Sequence, residues 1–232
     1  MRRVALVSRV TDPLRSGSLS HRARTRRWTE LSLRFPDLGE MNVLDLGGTV
    51  GSWDVAPVRP ARLTAVNLTH HGSDRPDVRL VVGDACDLPE SLRRERFDLV
   101  YSNSLLEHVG GHLRREHFAD MVHSMAPAHW VQTPYRYFPV EPHWVFPAFQ
   151  FLPVTTRASV SRHWPFGHIS GSDRGEAVRQ VLEVELVGLT EMRAYFPDSR
   201  IWMERFAGLP KSLVAVSTHH CRAAPPSPSG AG

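Results

Sequence analysis

The stretch MNVLDLGGTVGSWD, residues 41–54, carries the strongest indication of the fold in this sequence. Val43, Leu44 and Leu46 are apolar or favour β structure, and they lead into a cluster of small residues. This pattern predicts a buried parallel strand, a tight glycine turn and the start of a helix. Such a turn presents backbone N–H groups and the positive end of a helix dipole to a ligand. The stretch is neither a nucleotide-hydrolase phosphate loop nor a GxGxxG dinucleotide fingerprint, because the required spacings are absent.

The same stretch resembles the first motif of class I S-adenosylmethionine-dependent methyltransferases, which reads hydrophobic-hydrophobic-Asp/Glu-hydrophobic-Gly-x-Gly-x-Gly. Asp45, Gly47 and Gly51 match the acidic residue and the outer glycines of this motif. Thr49 stands at the middle glycine, and Gly48 precedes it by one place. The chain thus resembles a methyltransferase type 11-like member of the class, and the resemblance implies that these five residues bind the cofactor S-adenosylmethionine.

The second predicted strand, residues 63–68, ends in Asn67, which lies 20 residues after Gly47. At this place the family normally carries an acidic residue that binds the ribose hydroxyls of the cofactor. The resemblance therefore implies that Asn67 binds ribose without a charge, and an ordinary asparagine in a turn is the alternative. His70 and His71 follow, but no nearby cysteine or carboxylate completes a metal site with them, so we expect no metal.

A third predicted strand, within residues 78–87, ends in Gly83-Asp84-Ala85. This segment resembles the one with which the family holds adenine. The resemblance implies that the Asp84 carboxylate accepts from the exocyclic amine and that a backbone N–H at Ala85 meets a ring nitrogen. The alternative is that Asp84 is a turn or helix-cap residue. A short helix is predicted at 88–94.

Residues 97–109, FDLVYSNSLLEHV, predict a fourth strand followed by a helix that begins near Leu105. The segment resembles the fourth motif of the family, and ligands of open parallel sheets bind at such strand ends. The resemblance implies that Asn103 and Ser104 lie near the methionine end of the cofactor. His108 is a candidate general base if it points into the cleft, and helix-start packing is its alternative role. The segment lacks the Asn/Asp-Pro-Pro-aromatic motif of methyltransferases that act on nucleobase amines.

A segment rich in aromatic residues and prolines, 134–147, follows a predicted helix at 112–125 and a fifth strand at 130–133. Prolines fix an extended backbone, and aromatic rings present flat surfaces. The family inserts its substrate-binding elements here, so the resemblance implies one wall of the acceptor pocket. The alternative is an aromatic plug of the core in which Glu141 pairs with Arg136. The polar members are the substrate-binding candidates Tyr135, Arg136 and Tyr137 and the candidate acid/base pair Glu141 and His143.

The order of elements predicts an α/β fold with strand–helix units and a terminal antiparallel hairpin built from residues 199–207 and 212–218. The resemblance implies a Rossmann-like, seven-stranded, mostly parallel sheet of order 3-2-1-4-5-7-6, with strand 7 antiparallel and helices on both faces. We expect a basic arm and a lid helix over 1–35, a methyltransferase domain over 36–220 with a substrate-binding insertion at 133–172, and a disordered tail over 221–232.

The composition argues against a membrane-spanning protein and against a disulfide-rich one. The chain has 232 residues, 41% of them hydrophobic, and no apolar run as long as a membrane span. Its two cysteines match no disulfide or metal pattern, which favours a reducing cytoplasm. The formal charge is +4, and Lys211 is the only lysine among 28 basic residues. This arginine preference is interpreted as genomic composition, with an anionic partner as the alternative.

The expected function is transfer of a methyl group from S-adenosylmethionine to an oxygen or nitrogen of a small-molecule acceptor, in secondary-metabolite or glycan biosynthesis. The first alternative is an RNA methyltransferase, suggested by the arginine-rich residues 1–27, although no aromatic residues interleave with these arginines. The second is a non-catalytic binding protein, suggested by the departures at Thr49 and Asn67. The sequence leaves the oligomeric state open, and a homodimer is compatible with it.

Overall fold

The computed structural model describes residues 19–69, 76–165 and 173–218, and for residues 19–23 it describes the backbone alone. The predicted basic arm, apart from its last residues, and the predicted tail lie outside these ranges. The strands are β1 (Asn42–Leu46), β2 (Arg62–Asn67), β3 (Arg79–Val82), β4 (Leu99–Asn103), β5 (Ala128–Pro134), β6 (Val140–Glu141), β7 (Phe146–Pro147), β8 (Arg200–Phe206) and β9 (Leu209–Thr218).

Seven of these strands form one sheet in the order β3-β2-β1-β4-β5-β9-β8. Strands β1 to β5 run parallel, and β9 runs antiparallel to both of its neighbours. The predicted order 3-2-1-4-5-7-6 is confirmed. The last two strands carry higher numbers only because β6 and β7 form a separate two-stranded ribbon inside the predicted insertion.

The helices are α1 (Leu19–Arg34), α2 (Glu90–Arg93), α3 (His112–Met125), α4 (Val154–His163), α5 (Arg174–Leu182) and α6 (Leu189–Tyr195). Single 3-10 turns occur at Leu38–Glu40 and Phe149–Phe151. The long predicted helices are thus confirmed, and α1 is the predicted helix before the first strand. Along the described ranges, no helix has the length and apolar character that crossing a bilayer requires.

The sheet is buried on both faces because successive side chains of a strand point in opposite directions. In β1, Val43 packs with Trp28 and Leu31 of α1, whereas Leu44 packs on the other face with Phe118 of α3. All of these side chains are buried, and burying a large aliphatic or aromatic side chain contributes roughly 1.5–3 kcal/mol. The two cores hold the carboxyl ends of β1 to β4 in fixed relative positions.

Two predicted helix starts are absent. Residues 47–56 form consecutive turns, in which the N–H groups of Ser52, Asp54 and Ala56 each donate to the carbonyl three residues earlier. Pro57 and Pro60 follow, and a proline disfavours helical geometry in the residue before it. The prediction that a helix N-terminus lies at this loop is therefore wrong. Residues 105–109 likewise form turns before the glycines that precede α3.

Candidate functional site

Two adjoining cavities lie at the carboxyl ends of the parallel strands, where open α/β sheets bind ligands. The first, of about 220 Å³, lies between the glycine-rich loop, the end of β4 and helix α1. The second, of about 280 Å³, lies between the loop and the ends of β2 and β3. Gly47 lines both cavities, which together form one crevice.

The glycine-rich loop has no room for side chains at Gly47 and Gly48. Gly47 has a φ of +83°, and a Cβ there would lie 3.0 Å from the side chain of Leu105. A Cβ at Gly48 would lie 2.2 Å from the Asp45 carboxylate. The glycine that stands one place early in the motif is therefore required by the geometry of the preceding acid. Thr49 and Gly51 line the first cavity, and the Thr49 N–H donates to Ser52 Oγ at 2.8 Å.

Asp45 is a buried carboxylate beside the first cavity. Its Oδ2 accepts from the indole Nε1–H of Trp53 at 2.9 Å. Burial raises the pKa of Asp45 to about 7, and the hydrogen bond from Trp53 opposes this shift. Trp28 and Tyr101 stack with a centroid distance of 5.8 Å and pack against the same indole. Sequence reasoning missed this aromatic cluster, since its members come from three separate segments.

Asn67 ties the loop to β2 and lines the second cavity. Its Nδ2 donates to the carbonyls of Gly47 and Gly48 at 3.3 and 3.4 Å, and its Oδ1 accepts from the Leu68 N–H at 2.9 Å. An amide fits this place because a carboxylate has no donor for the two carbonyls. Asn67 thus supports the glycine-rich loop, while its contact with ribose stays a prediction.

Asp84 also lines the second cavity, together with Ala85. Both of its oxygens accept from the guanidinium of Arg114, at 2.7 and 2.9 Å, and Oδ1 also accepts from the Cys86 N–H. Burial alone would raise the pKa of Asp84, but the hydrogen bonds from Arg114 and Cys86 outweigh it and hold the pKa below its ordinary value. The residue is therefore a carboxylate at neutral pH. The adenine role stays a prediction, and sequence reasoning missed Arg114.

Helix α1 covers the first cavity, as the family resemblance implies for a lid helix. Arg27 of α1 donates to Asn103 Oδ1 at 2.6 Å and to Gln132 Oε1 at 3.2 Å. The same guanidinium lies 3.4 Å from the Glu204 carboxylate. Asn103 lines this cavity, whereas the Ser104 hydroxyl donates to Gln132 at 3.0 Å. The helix is thus anchored across the ends of β4, β5 and β8.

The candidate acid/base pair is assembled beside the second cavity. Glu141 is buried, its Oε1 lies 2.7 Å from His143 Nδ1, and its Oε2 accepts from the Trp144 N–H at 2.9 Å. His143 Nε2 lies 3.2 Å from Nε2 of His108, whose ring lines the cavity. The three candidate bases therefore form one chain of contacts. The alternative pairing of Glu141 with Arg136 is wrong, because Arg136 donates to Glu191 Oε1 at 2.6 Å.

The electrostatic environments of the two histidines differ. Burial, followed by the neighbouring His143, lowers the pKa of His108 to about 4. Burial also acts to lower the pKa of His143, but the hydrogen bond and charge of Glu141 outweigh it, so the pKa is raised above its ordinary value. A proton shared by the pair therefore resides on His143.

Glu107 is a further functional candidate that sequence reasoning missed, although it directly precedes His108 in the segment 97–109. It is buried, its Oε2 accepts from the Thr133 hydroxyl at 2.9 Å, and burial raises its pKa to about 7. The ligand atoms of Glu107, His108 and His143 all lie within 4.8 Å of one another. The expectation that the chain binds no metal was argued from His70 and His71 and stays a prediction. His70 and His71 lie outside the described residues.

The three substrate-binding candidates lie apart from the crevice. Tyr137 is 59% exposed and stacks on Phe151 at a centroid distance of 6.0 Å. Tyr135 packs against the core, and its N–H donates to the Lys211 carbonyl. Arg136 and Glu141 line a separate cavity of about 210 Å³. Their contact with a substrate stays a prediction.

Comparisons with known proteins find a family match over part of the chain and similar folds among solved structures. Residues 44–127 match a family model described as a methyltransferase domain. No curated protein is significantly similar in sequence. An S-adenosylmethionine-dependent methyltransferase from Mesorhizobium loti is 14% identical, with a TM-score of 0.51 over 82% of this chain and 96% of that one.

Two further solved structures are similar to the chain. Magnesium protoporphyrin IX methyltransferase from Synechocystis PCC 6803 with bound SAH is 12% identical, with a TM-score of 0.48 over 84% and 83% of the two chains. The N-methyltransferase NodS from Bradyrhizobium japonicum WM9 is 16% identical, with a TM-score of 0.43 over 84% and 94%. The family match spans the glycine-rich loop, the ends of β2 to β4 and the histidine of the crevice. Residues 44–127 of the chain thus match a methyltransferase domain, and the chain shares the fold of a solved S-adenosylmethionine-dependent methyltransferase.

Proposed function

We propose that this protein is an S-adenosylmethionine-dependent methyltransferase that acts on an oxygen or nitrogen atom of a small-molecule acceptor in secondary-metabolite or glycan biosynthesis. The observation that supports this most is the contact chain Glu141–His143–His108, which reaches from the insertion to the second cavity. A polar, proton-accepting group at the rim of a cofactor crevice suits an acceptor that loses a proton when it is methylated.

The reaction is an in-line displacement at the methyl group of the sulfonium, and S-adenosylmethionine supplies the activated leaving group when it is bound. The protein mainly contributes proximity and alignment. The Nε2 atoms of His108 and His143 lie 3.2 Å apart, so a polar group of the acceptor beside them could contact either ring. A hydroxyl or ammonium group placed there passes its proton to His143, and Glu141 stabilises the resulting imidazolium. An acceptor amine that is already neutral reacts without this step.

A nucleobase amine as the acceptor is less well supported. The residues after β4 lack the Pro-Pro motif, and Ser104 at this turn has a φ of +57° and donates to Gln132. The arginine-rich segment that motivates an RNA substrate lies mostly outside the described residues. A small-molecule acceptor is therefore better supported than a nucleobase.

The cofactor site is tested by calorimetric titration of the purified protein with S-adenosylmethionine and S-adenosylhomocysteine. We expect dissociation constants in the range of about 1 μM to 1 mM that is typical of enzyme ligands. Gly47→Arg should abolish binding because it places a side chain between the two cavities, and Asp84→Ala should weaken it. Absence of heat at millimolar ligand, with folded protein, would favour the non-catalytic alternative.

The acceptor is tested by turnover with a panel of small hydroxyl and amine compounds alongside structured RNA. For an acceptor that must be deprotonated, His143→Gln should lower kcat by about 10²–10⁴-fold while the affinity for S-adenosylhomocysteine stays unchanged. Methylation of RNA alone, with an affinity that falls steeply as salt rises, would contradict the proposal.

A further inference from the structure

We propose that Glu107, His108 and His143 bind one divalent transition-metal ion of the zinc type at the edge of the cofactor crevice. Their ligand atoms lie within 4.8 Å of one another, although His143 belongs to the insertion and the other two follow β4. Binding of the ion does not depend on the proposed acceptor. The role of the ion in catalysis rests on the proposed function.

The spacing of the two imidazoles suits a shared ion. Their Nε2 atoms are 3.2 Å apart, and the rings are nearly perpendicular, with an interplanar angle of 87°. In a tetrahedral zinc site with Zn–N distances of about 2.05 Å, two ligand nitrogens lie roughly 3.3 Å apart. The rings of His108 and His143 can therefore hold an ion between them with little movement.

Glu107 provides a third ligand that has an unused oxygen. The residue is fully buried, and its Oε1 has no hydrogen-bond partner among the described residues, whereas Oε2 accepts from Thr133. An unpartnered carboxylate oxygen inside a protein is costly, since burial removes its water. A cation between Glu107 and the two histidines would satisfy this oxygen, and Thr133 would hold the carboxylate in place.

Glu141 completes the arrangement from outside the ligand set. Histidines that bind metals usually donate their other ring N–H to a carboxylate or carbonyl, which fixes the ring orientation and the tautomer. Glu141 Oε1 lies 2.7 Å from His143 Nδ1, and its Oε2 is fixed by the Trp144 N–H at 2.9 Å. This contact leaves His143 Nε2 as the nitrogen that faces the ion.

The ligand set indicates the class of metal. Two imidazoles and one carboxylate suit zinc and other first-row transition ions, whereas magnesium and calcium prefer oxygen ligands. Three protein ligands leave at least one coordination position open, as in catalytic zinc sites. Because His108 lines the second cavity, the open position adjoins the crevice. A hydroxyl acceptor bound there would lose its proton to solvent more readily, and the ion rather than His143 would then promote deprotonation.

The test is titration of the full-length, metal-free protein with zinc chloride in competition with a chromophoric chelator, with cobalt(II) absorption as a second readout of ligand geometry. We expect one tight ion per chain. The variants His108→Ala and His143→Ala should each weaken that binding at least about 100-fold, and Glu141→Gln should weaken it about 10–100-fold. Two variants serve as matched controls. His117→Ala changes an exposed histidine, and the double variant His70→Ala/His71→Ala removes two histidines that are consecutive in the chain.

Two outcomes would overturn the proposal: no zinc binding by the wild-type protein, or loss of the tight ion in a control rather than in His108→Ala and His143→Ala. Circular dichroism and thermal unfolding, recorded for every variant, show that each protein is folded. Titration of the wild-type protein with S-adenosylhomocysteine is run beside the zinc titration. This titration separates the two proposals, because a chain that binds zinc but no cofactor contradicts the proposed function alone.

Discussion

The indole Nε1–H of Trp53 donates to Oδ2 of Asp45 across 2.9 Å, and both side chains are almost completely buried. This contact links the turns after the glycine-rich loop to the end of β1. The acid of the motif is thus held by a side chain eight residues further on, where a helix N-terminus was expected. Because the carboxyl group is buried, a negative charge on Asp45 is poorly solvated, and the hydrogen bond from Trp53 compensates for this only in part.

Asp45→Asn should make the protein more stable at alkaline pH. The pKa of Asp45 is about 7 in the folded protein and 3.8 ordinarily, so the folded state binds the proton more tightly between these values. Stability from this residue is therefore complete below pH 3.8 and is lost as the pH rises through 7. Asparagine retains an acceptor for Trp53 without the charge. At pH 8 we expect the variant to exceed wild type by about 2–4 kcal/mol in urea denaturation, and parallel pH profiles would contradict this.

Gly48→Ala should disturb both folding and cofactor binding, because its Cβ would lie 2.2 Å from the Asp45 carboxylate. We expect a loss of about 1–3 kcal/mol in the free energy of unfolding and weaker binding of S-adenosylhomocysteine. Gly111→Ala is the matched control, since nothing lies within 4 Å of a Cβ there. Its stability should stay within about 1 kcal/mol of wild type. Equal cofactor affinities in the two variants would show that the close approach at Gly48 is unimportant.

Arg27→Ala should destabilise the protein because it removes a cation from the buried Glu204, whose carboxylate oxygens have no hydrogen-bond partner among the described residues. Lys211 also acts on this carboxylate, so the loss should be at the lower end of the buried-pair range, about 3 kcal/mol. The double variant Arg27→Ala/Glu204→Gln should recover much of it. Arg26→Ala, on the same helix but exposed, is the control. Additive losses in denaturant unfolding would rule out the coupling.

His129→Gln should flatten the acid branch of the stability profile. His129 is buried and contacts Ser199 Oγ at 2.7 Å, and burial, then the neighbouring His123, lowers its pKa from 6.5 to about 4. The unfolded state therefore binds the proton more tightly between these values, and stability falls as the pH falls through this window. Between pH 7 and 5 the wild type should lose about 2 kcal/mol that the variant retains. Denaturation curves that shift equally with pH in both proteins would refute this account.

Local pattern was sufficient for most of the secondary structure and for the sheet. Helix α3 begins and ends where the sequence predicts, because the spacing of Phe118, Val122 and Met125 is a property of the helix itself. The strand order was implied by the resemblance of the motifs to those of a known family. The prediction of a helix after the glycine-rich loop was wrong, because the prolines beyond the loop and the contact of Trp53 with Asp45 favour turns.

The sequence by itself determined the glycine-rich loop, the strand ends that line the crevice and the pair Glu141 and His143, because each depends on residues close together in the chain. Only the tertiary structure decided that His108 meets His143 from 35 residues away, and that Arg27 reaches Asn103 across 76 residues. Such contacts depend on strand order and on how the insertion packs, and a one-dimensional pattern carries no distance between segments that are far apart in the chain.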